Sequence, residues 1–170
     1  MLTHLLLMRH AKSSWKDATQ SDHERPLNGR GKRACADVAD VLVARGYAPD
    51  IIWASDAERT VETAKRLIRI IPGAQTIIQT PQFYHASART VIETCAAETE
   101  PEGKLMLLGH NPGWSELYEY FSGASHAFPT GCCAVFERAN TYNSWIEPQS
   151  WRLIDLVLPR ELERPGKTFE

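Results

Sequence analysis

Short apolar runs alternate along the chain with longer segments in which apolar residues recur at helical spacing. The first run, Leu2 to Met8, has the continuous apolar character of a strand that is buried on both faces of a sheet. Further strands are predicted over 50–54, 75–79 and 104–108, and helices over 29–45, over 57–71, after Ser87 and from Pro112 onward. This alternation is typical of an α/β domain with a mostly parallel sheet.

The pattern changes after Gly123. Residues 131–137 and 150–158 are predicted to be strands joined by a polar loop over 139–143, as in a hairpin at a sheet edge. We therefore expect a three-layer α/β/α fold whose mostly parallel central sheet carries an antiparallel edge strand. One domain is expected over residues 1–160, followed by a loosely held tail over 161–170.

The composition argues against several classes of function. The 170 residues carry a formal net charge of −2, so the chain lacks the broad positive potential with which proteins bind DNA or RNA. No apolar run approaches the roughly 18 residues that span a bilayer. The cysteines, Cys35, Cys95, Cys132 and Cys133, have no C-x-x-C metal spacing. We expect a cytoplasmic monomer with reduced thiols that contacts neither membranes nor nucleic acid and needs no cofactor.

Cationic and nucleophilic side chains follow the predicted strands where these end. Arg9 and His10 come after the first strand, Arg59 after the second and His110 after the fourth. Because ligands of open α/β sheets bind beyond the carboxyl ends of the strands, we expect the four residues to converge on one pocket. Each alone is more often a structural or surface residue. Together they indicate a ligand of dense negative charge, for which phosphate is the common candidate.

A histidine in a phosphate pocket can act as a nucleophile as well as a binding group. Neutral imidazole attacks phosphorus and forms a phosphohistidine, which water then hydrolyses. Flanking arginines stabilise the oxygens of the transition state, and helices that begin after Ser55 and Asn111 would add backbone N–H donors. The residues therefore predict phosphoryl transfer in which one histidine attacks and the other binds.

Six segments of the chain resemble motifs of the histidine phosphatase superfamily, and the resemblance runs through most of the sequence. These segments are RHAKSSW, RPLNGRGKR, SDAERTVETA, FYHAS, LLLGHNPG and FPTGCCAVFE. The hallmark Arg-His-Gly triplet has alanine in third place here, as in the small SixA-like branch of phosphohistidine phosphatases. The resemblance implies a phosphoglycerate mutase-like fold without a large cap domain. It also implies that His10 is the nucleophile and that Arg9, Arg59 and His110 complete the phosphate pocket.

The resemblance adds two phosphate-binding residues and leaves the general acid unassigned. Arg25 of the RPL segment and Ser13 match positions near the phosphate. Many relatives carry a carboxylic acid that protonates the leaving group, but no segment here matches that motif. Asp17, Asp22 and Glu93 are candidates by residue type alone, and a solvated carboxylate is the more common role for each. Since a protonated imidazole leaves without such help, the missing acid favours a phosphohistidine of a protein as substrate.

Other functions stay open at this point. A phosphatase of small phosphoesters would use the same pocket, as would a phosphoglycerate-type mutase, although 170 residues leave little material to cover the substrate. A non-catalytic phosphate-binding module is a further alternative. A metal site is disfavoured because the histidines lack paired ligand spacing. A cysteine phosphatase at Cys132 or Cys133 lacks the C-x5-R loop.

The aromatic residues divide between the predicted core and the predicted pocket. We expect Trp53 and Trp151 in the core and Trp145 in an exposed loop. Three further aromatic residues lie where the edge of the pocket is predicted: Trp15, Trp114 and Tyr84.

Overall fold

The computed structural model describes residues 1–162, which form one six-stranded sheet with helices on both faces. The strands are β1 Leu2–Arg9, β2 Ile51–Ala54, β3 Thr76–Gln79, β4 Gly103–Gly109, β5 Cys133–Arg138 and β6 Trp151–Val157. The helices are α1 Gly29–Ala44, α2 Glu58–Ile70, α3 Ala88–Ala96, α4 Gly113–Ser122 and the short α5 Pro159–Leu162.

The strand order in the sheet is β3-β2-β4-β1-β5-β6. Strands β3, β2, β4 and β1 run parallel to one another, whereas β5 is antiparallel to both β1 and β6. The difference follows from the connections, because parallel neighbours need a crossover helix and β5 and β6 are joined by a simple hairpin loop. The predicted mostly parallel sheet with an antiparallel edge is confirmed.

The sheet separates two hydrophobic layers. Helices α1 and α2 pack on one face, and α3 and α4 pack on the other. Along β1, Leu5 and Leu7 enter the α3–α4 layer, while Leu6 and Met8 enter the α1–α2 layer. All four side chains are fully buried, which explains the continuous apolar run of this strand. The three-layer prediction is therefore confirmed.

Polar caps and glycines set the helix ends near the positions that the sequence indicates. Asn28 caps α1 by accepting a hydrogen bond from the Gly31 N–H (2.8 Å), and Ser87 caps α3 as predicted. Gly123 ends α4 with φ of 75°, a conformation that glycine adopts without strain.

Two tryptophans lie elsewhere than predicted. Trp114 is fully buried beneath β4, where a side chain at Gly109 would collide with the indole ring, so it does not line the pocket. Trp145 is buried rather than exposed, because its loop folds back over the α3–α4 layer. Its ring packs edge-on against Trp53 at 5.9 Å, and its carbonyl accepts the indole N–H of Trp151 at 2.6 Å.

The connections at the carboxyl edge of the sheet carry no cap domain. The largest of them is the β1–α1 loop, residues 10–28, which contains a single short 3-10 turn. Within residues 1–162 no helix has the length and apolar character needed to cross a membrane. The predicted tail begins inside α5, and residues 163–170 lie outside the described part of the chain.

Candidate active site

A cleft of about 370 Å³ opens at the carboxyl ends of β1, β2 and β4. Parallel strands end together at this edge, so residues from distant parts of the sequence meet there. The cleft brings together all six residues that the sequence predicted for the site: Arg9, His10, Ser13, Arg25, Arg59 and His110.

His10 lies at the floor of the cleft directly after β1 and is 6% exposed. Its Nδ1 lies 2.7 Å from the carbonyl oxygen of Ala11, which can only accept a hydrogen bond, so Nδ1 carries the proton. Burial and the nearby arginines lower the pKa of His10 to about 3. The ring is therefore neutral at neutral pH, and Nε2 carries the lone pair that accepts the Arg59 Nε–H.

Arg59 connects the two histidines. This side chain, 3% exposed, extends from the first turn of α2, and its Nε lies 3.4 Å from His10 Nε2. Its Nη2 lies 3.4 Å from Nδ1 of His110. Thr63, one turn further along α2, donates to the Arg59 carbonyl and accepts the backbone N–H of Ala11. This hydroxyl joins α2 to the segment after β1 and fixes Arg59 beside His10.

His110 follows β4, and its ring lies 5.1 Å from that of His10. Nε2 of His110 lies 2.8 Å from the hydroxyl of Ser55 at the end of β2 and 3.3 Å from that of Thr60. Burial lowers the pKa of His110, and the adjacent His10 and Arg59 lower it further. With Arg59 donating to Nδ1, the neutral ring donates from Nε2 to Ser55.

Arg9 carries a buried donor with no partner. Its Nη1 donates to the carbonyl of Phe128 at 3.3 Å, but within residues 1–162 no acceptor reaches its buried Nε. Burial also lowers the pKa of this guanidinium. Since buried polar groups are rarely left unpaired in native proteins, the orphaned donor points to an anionic ligand in the cleft.

Asp22 is the carboxylate of the cleft, contrary to the expectation that it is merely solvated. Its Oδ2 accepts from the Tyr84 hydroxyl at 2.5 Å and from Arg59 Nη2 at 3.1 Å, and its Oδ1 accepts from Arg25 Nη2 at 3.1 Å. Burial works against ionisation, but these donors outweigh it and hold the pKa of Asp22 well below its usual range. Asp22 is thus a fixed negative charge that orients both arginines.

The other two carboxylates considered as acids do not line the cleft. Asp17 accepts from the backbone N–H of Thr19 at 2.9 Å, and exposed Glu93 pairs with Arg89 on α3 at 3.0 Å. Nothing in the sequence next to Asp17 or Glu93 distinguishes these residues from Asp22 as candidates for the acid. The difference arises from tertiary structure, because only Asp22 belongs to the 3-10 turn that faces α2.

Arg25 and its neighbours form the rim of the cleft on the side of the β1–α1 loop. Arg25 Nη1 donates to the Ser13 hydroxyl at 2.7 Å, and the guanidinium stacks on the Trp15 ring at 3.5 Å. Trp15 is 76% exposed and lines the cleft, as the sequence allowed. Tyr84 reaches the site through Asp22 and through an edge-on contact with His110 at 5.5 Å.

Four further residues line the cleft that the sequence did not predict for the site: Lys12, His85, Asn111 and Thr130. Asn111 Nδ2 donates to the Phe128 carbonyl at 2.9 Å, which also accepts from Arg9, so Asn111 helps to hold the loop under that arginine. The sequence does indicate that His85 lies near the cleft. It belongs to the FYHAS segment and follows β3, which ends at the same edge of the sheet as β1, β2 and β4.

The cysteines do not take part in the site. All four thiols are buried, and burial raises the pKa of Cys132 and of Cys133 well above the usual range. Buried thiols with raised pKa values are poor nucleophiles. Among residues 1–162, no group of three His, Cys, Asp or Glu side chains is arranged to hold a metal ion.

Fold and site together define a class of protein: an α/β domain of the phosphoglycerate mutase type with an arginine- and histidine-lined anion pocket. Residues 5–84 match the sequence profile of the histidine phosphatase superfamily, branch 1. The crystal structure of a candidate phosphohistidine phosphatase SixA from Agrobacterium tumefaciens is 32% identical, with a TM-score of 0.77, over 92% of this chain and 99% of that one. The protein therefore belongs to the histidine phosphatase superfamily and is SixA-like.

Two further proteins are similar to this chain over most of its length. An uncharacterised chloroplast protein of Arabidopsis thaliana is 35% identical over 91% of this chain and 77% of its own length. A structure of the protein histidine phosphatase SixA in complex with tungstate is 18% identical, with a TM-score of 0.78, over 94% of this chain and 99% of that one. At this lower identity, the latter comparison shows the common fold.

Proposed function

We propose that the protein is a phosphatase that works through a phosphohistidine on His10 and that its substrate is a phosphohistidine of another protein. The observation that carries the proposal is the hydrogen bond from His10 Nδ1 to the Ala11 carbonyl. This contact leaves the Nε2 lone pair next to Arg59 in the cleft, and the lowered pKa keeps it unprotonated. An unprotonated ring nitrogen beside anion-binding groups supports the proposed nucleophilic role of His10.

The reaction has two displacements at phosphorus. In the first, His10 Nε2 forms a bond to phosphorus while the bond to the leaving group breaks. In the second, water attacks phosphorus, the electron pair of the P–N bond returns to His10 and inorganic phosphate is released. Arg9 and Arg59 stabilise the charge that spreads over the phosphoryl oxygens. His110 accepts from Arg59 Nη2 and holds that guanidinium beside the reacting group.

The openness of the cleft supports a protein substrate. Among the described residues 1–162, no cap domain covers the carboxyl edge of the sheet, and the indole of Trp15 stands exposed at the rim. A phosphorylated imidazole on a protein surface can therefore reach His10 without enclosure of the whole substrate. The candidate phosphohistidine phosphatase SixA of Agrobacterium tumefaciens, to which this chain is similar over nearly its full length, supports the same substrate class.

A substrate panel tests the proposal. Phosphate release is measured from a histidine-phosphorylated protein, from small phosphoesters and from phosphoglycerate, with the wild type and with His10→Ala. We expect the phosphohistidine protein to give the highest kcat/KM and His10→Ala to lose activity on every substrate. Undiminished release by His10→Ala would contradict the role of His10. Faster turnover of phosphoesters would favour a small-molecule phosphatase instead. Transfer of the phosphoryl group to another position of phosphoglycerate would favour a mutase. Binding of phosphorylated ligands without phosphate release would favour a non-catalytic binding module.

A further inference from the structure

His85 stands at the mouth of the cleft in an unusual backbone conformation. Its φ is +52°, in the left-handed region that non-glycine residues seldom occupy. Its side chain is 58% exposed, whereas His10 and His110 are buried. Backbone strain of this kind is concentrated at functional sites, so the position of this ring calls for an explanation.

The ring of His85 is oriented by the carboxylate of the site. Nε2 lies 3.2 Å from Asp22 Oδ2, which makes an ion pair when the ring is protonated. The ring packs against that of Tyr84 at 4.0 Å, with the two planes tilted by 40°, and lies 5.8 Å from the ring of His110. Within residues 1–162, Nδ1 of His85 makes no polar contact. One nitrogen is therefore held by Asp22 while the other is available to a ligand.

Three other titratable groups near His85 are not suited to donate a proton to a leaving group. Asp22 is held ionised by Arg25, Arg59 and the Tyr84 hydroxyl. That hydroxyl is committed to Asp22, and burial together with this carboxylate raises the pKa of Tyr84. His110 is buried and neutral and donates its one proton to Ser55.

The location of His85 matches the direction in which a leaving group departs. Displacement at phosphorus is roughly in line, so the leaving atom moves away from the attacking His10 Nε2. Because His10 lies at the buried floor, that direction leads to the mouth, where His85 lines the cleft. Three titratable groups lie next to His85, namely Asp22, Tyr84 and His110, and Arg59 pairs with the same oxygen of Asp22.

Resting on the function proposed above, we propose that His85 is a catalytic residue that exchanges the proton in both displacements. In the first, the electron pair of the bond to phosphorus stays on the leaving atom, which takes a proton from the His85 imidazolium. In the second, the attacking water gives a proton to neutral His85, which restores the imidazolium. Asp22 pairs with the charged form and holds the ring in place.

Leaving-group dependence tests this role. Wild type and His85→Asn are compared on p-nitrophenyl phosphate, whose leaving group needs no proton, and on an alkyl phosphate, whose leaving group does. Asparagine tolerates φ near +52°, so the backbone is preserved. We expect a loss of kcat of less than about threefold on the aryl ester but about 100-fold or more on the alkyl ester. His126→Asn, in an exposed loop outside the cleft, serves as the matched control.

The outcomes separate this inference from the proposed function. An equal loss of kcat on both esters in His85→Asn would show that His85 has a structural role. A wild type that hydrolyses only the aryl ester would also overturn the proposed proton transfer. Recovery of alkyl phosphatase activity in His85→Gly on addition of imidazole would support it. If the wild type releases phosphate from no ester and from no phosphohistidine protein, the phosphatase proposal itself fails, and the assignment of His85 falls with it.

Discussion

At the scale of single residues, the protonation states of the buried groups decide what the site can do. His10 and His110 are removed from water and surrounded by cationic groups, so both rings are neutral at physiological pH. Asp22 is ionised, and it neutralises part of the charge of Arg25 and Arg59. An unprotonated ring nitrogen of His10 therefore lies beside guanidinium groups that can bind an anion.

The neutral histidines make the stability of the fold depend on pH. The pKa of His10 is about 3 in the native state and near 6.5 in the unfolded chain, so only the unfolded chain gains a proton between these values. Stability therefore decreases as pH falls below about 6.5, and His10 accounts for about 2 kcal/mol of this loss between pH 7 and pH 5. Urea unfolding at the two pH values measures it.

In the His10→Asn variant, the decrease in the free energy of unfolding between pH 7 and pH 5 should be smaller by about this amount. An equal decrease in wild type and His10→Asn would show that His10 is accessible to protons in the native state.

At the scale of elements, the β1–α1 loop forms one wall of the cleft. Its two ends are tied together by hydrogen bonds from Ser14 N–H to the Pro26 carbonyl (2.8 Å) and from Asn28 N–H to the Lys12 carbonyl (3.0 Å). The Leu27 N–H also donates to Glu62 on α2 at 2.9 Å. These hydrogen bonds fix the loop that positions Arg25 at the cleft.

The stack of Trp15 on Arg25 predicts a specific kinetic effect. Trp15→Ala should raise KM about two- to fivefold and leave kcat nearly unchanged, because an exposed cation–π contact contributes about 0.5–1 kcal/mol and Asp22 and Ser13 still hold Arg25. Steady-state kinetics on one substrate measures both parameters. Tyr142→Ala removes an aromatic ring that is 98% exposed away from the cleft and should change neither. A fall in kcat with unchanged KM would place Trp15 in the chemical steps.

At the scale of the whole molecule, the parallel sheet explains why a site composed of residues 9 to 110 could be inferred from sequence. Arg9, His10 and His110 directly follow apolar strands, and the Asn111–Pro112 segment marks the start of the next helix. The local pattern of apolar strands followed by polar residues therefore predicts both the fold class and the edge of the sheet at which the candidate site lies. The motif resemblance added Arg25 and Ser13, which the structure places in the cleft beside the others.

What the sequence did not reveal depends on how loops and side chains pack across the molecule. Asp22 has the same local setting as any loop carboxylate, and only its contact with α2 and Tyr84 makes it part of the site. Trp114 was placed at the pocket because it begins a helix there, yet the absence of a side chain at Gly109 lets its ring pack into the core. Such choices depend on contacts between residues far apart in the chain.

The most direct test of the central claim is to trap the phosphorylated enzyme. Wild type and His10→Asn are mixed with substrate, quenched within milliseconds in alkali and analysed by mass spectrometry. We expect one phosphoryl group on His10 of the wild type, stable in alkali and labile in acid, and none on the variant. Phosphate release by the wild type at full rate with no phosphoryl group on His10 would contradict the account.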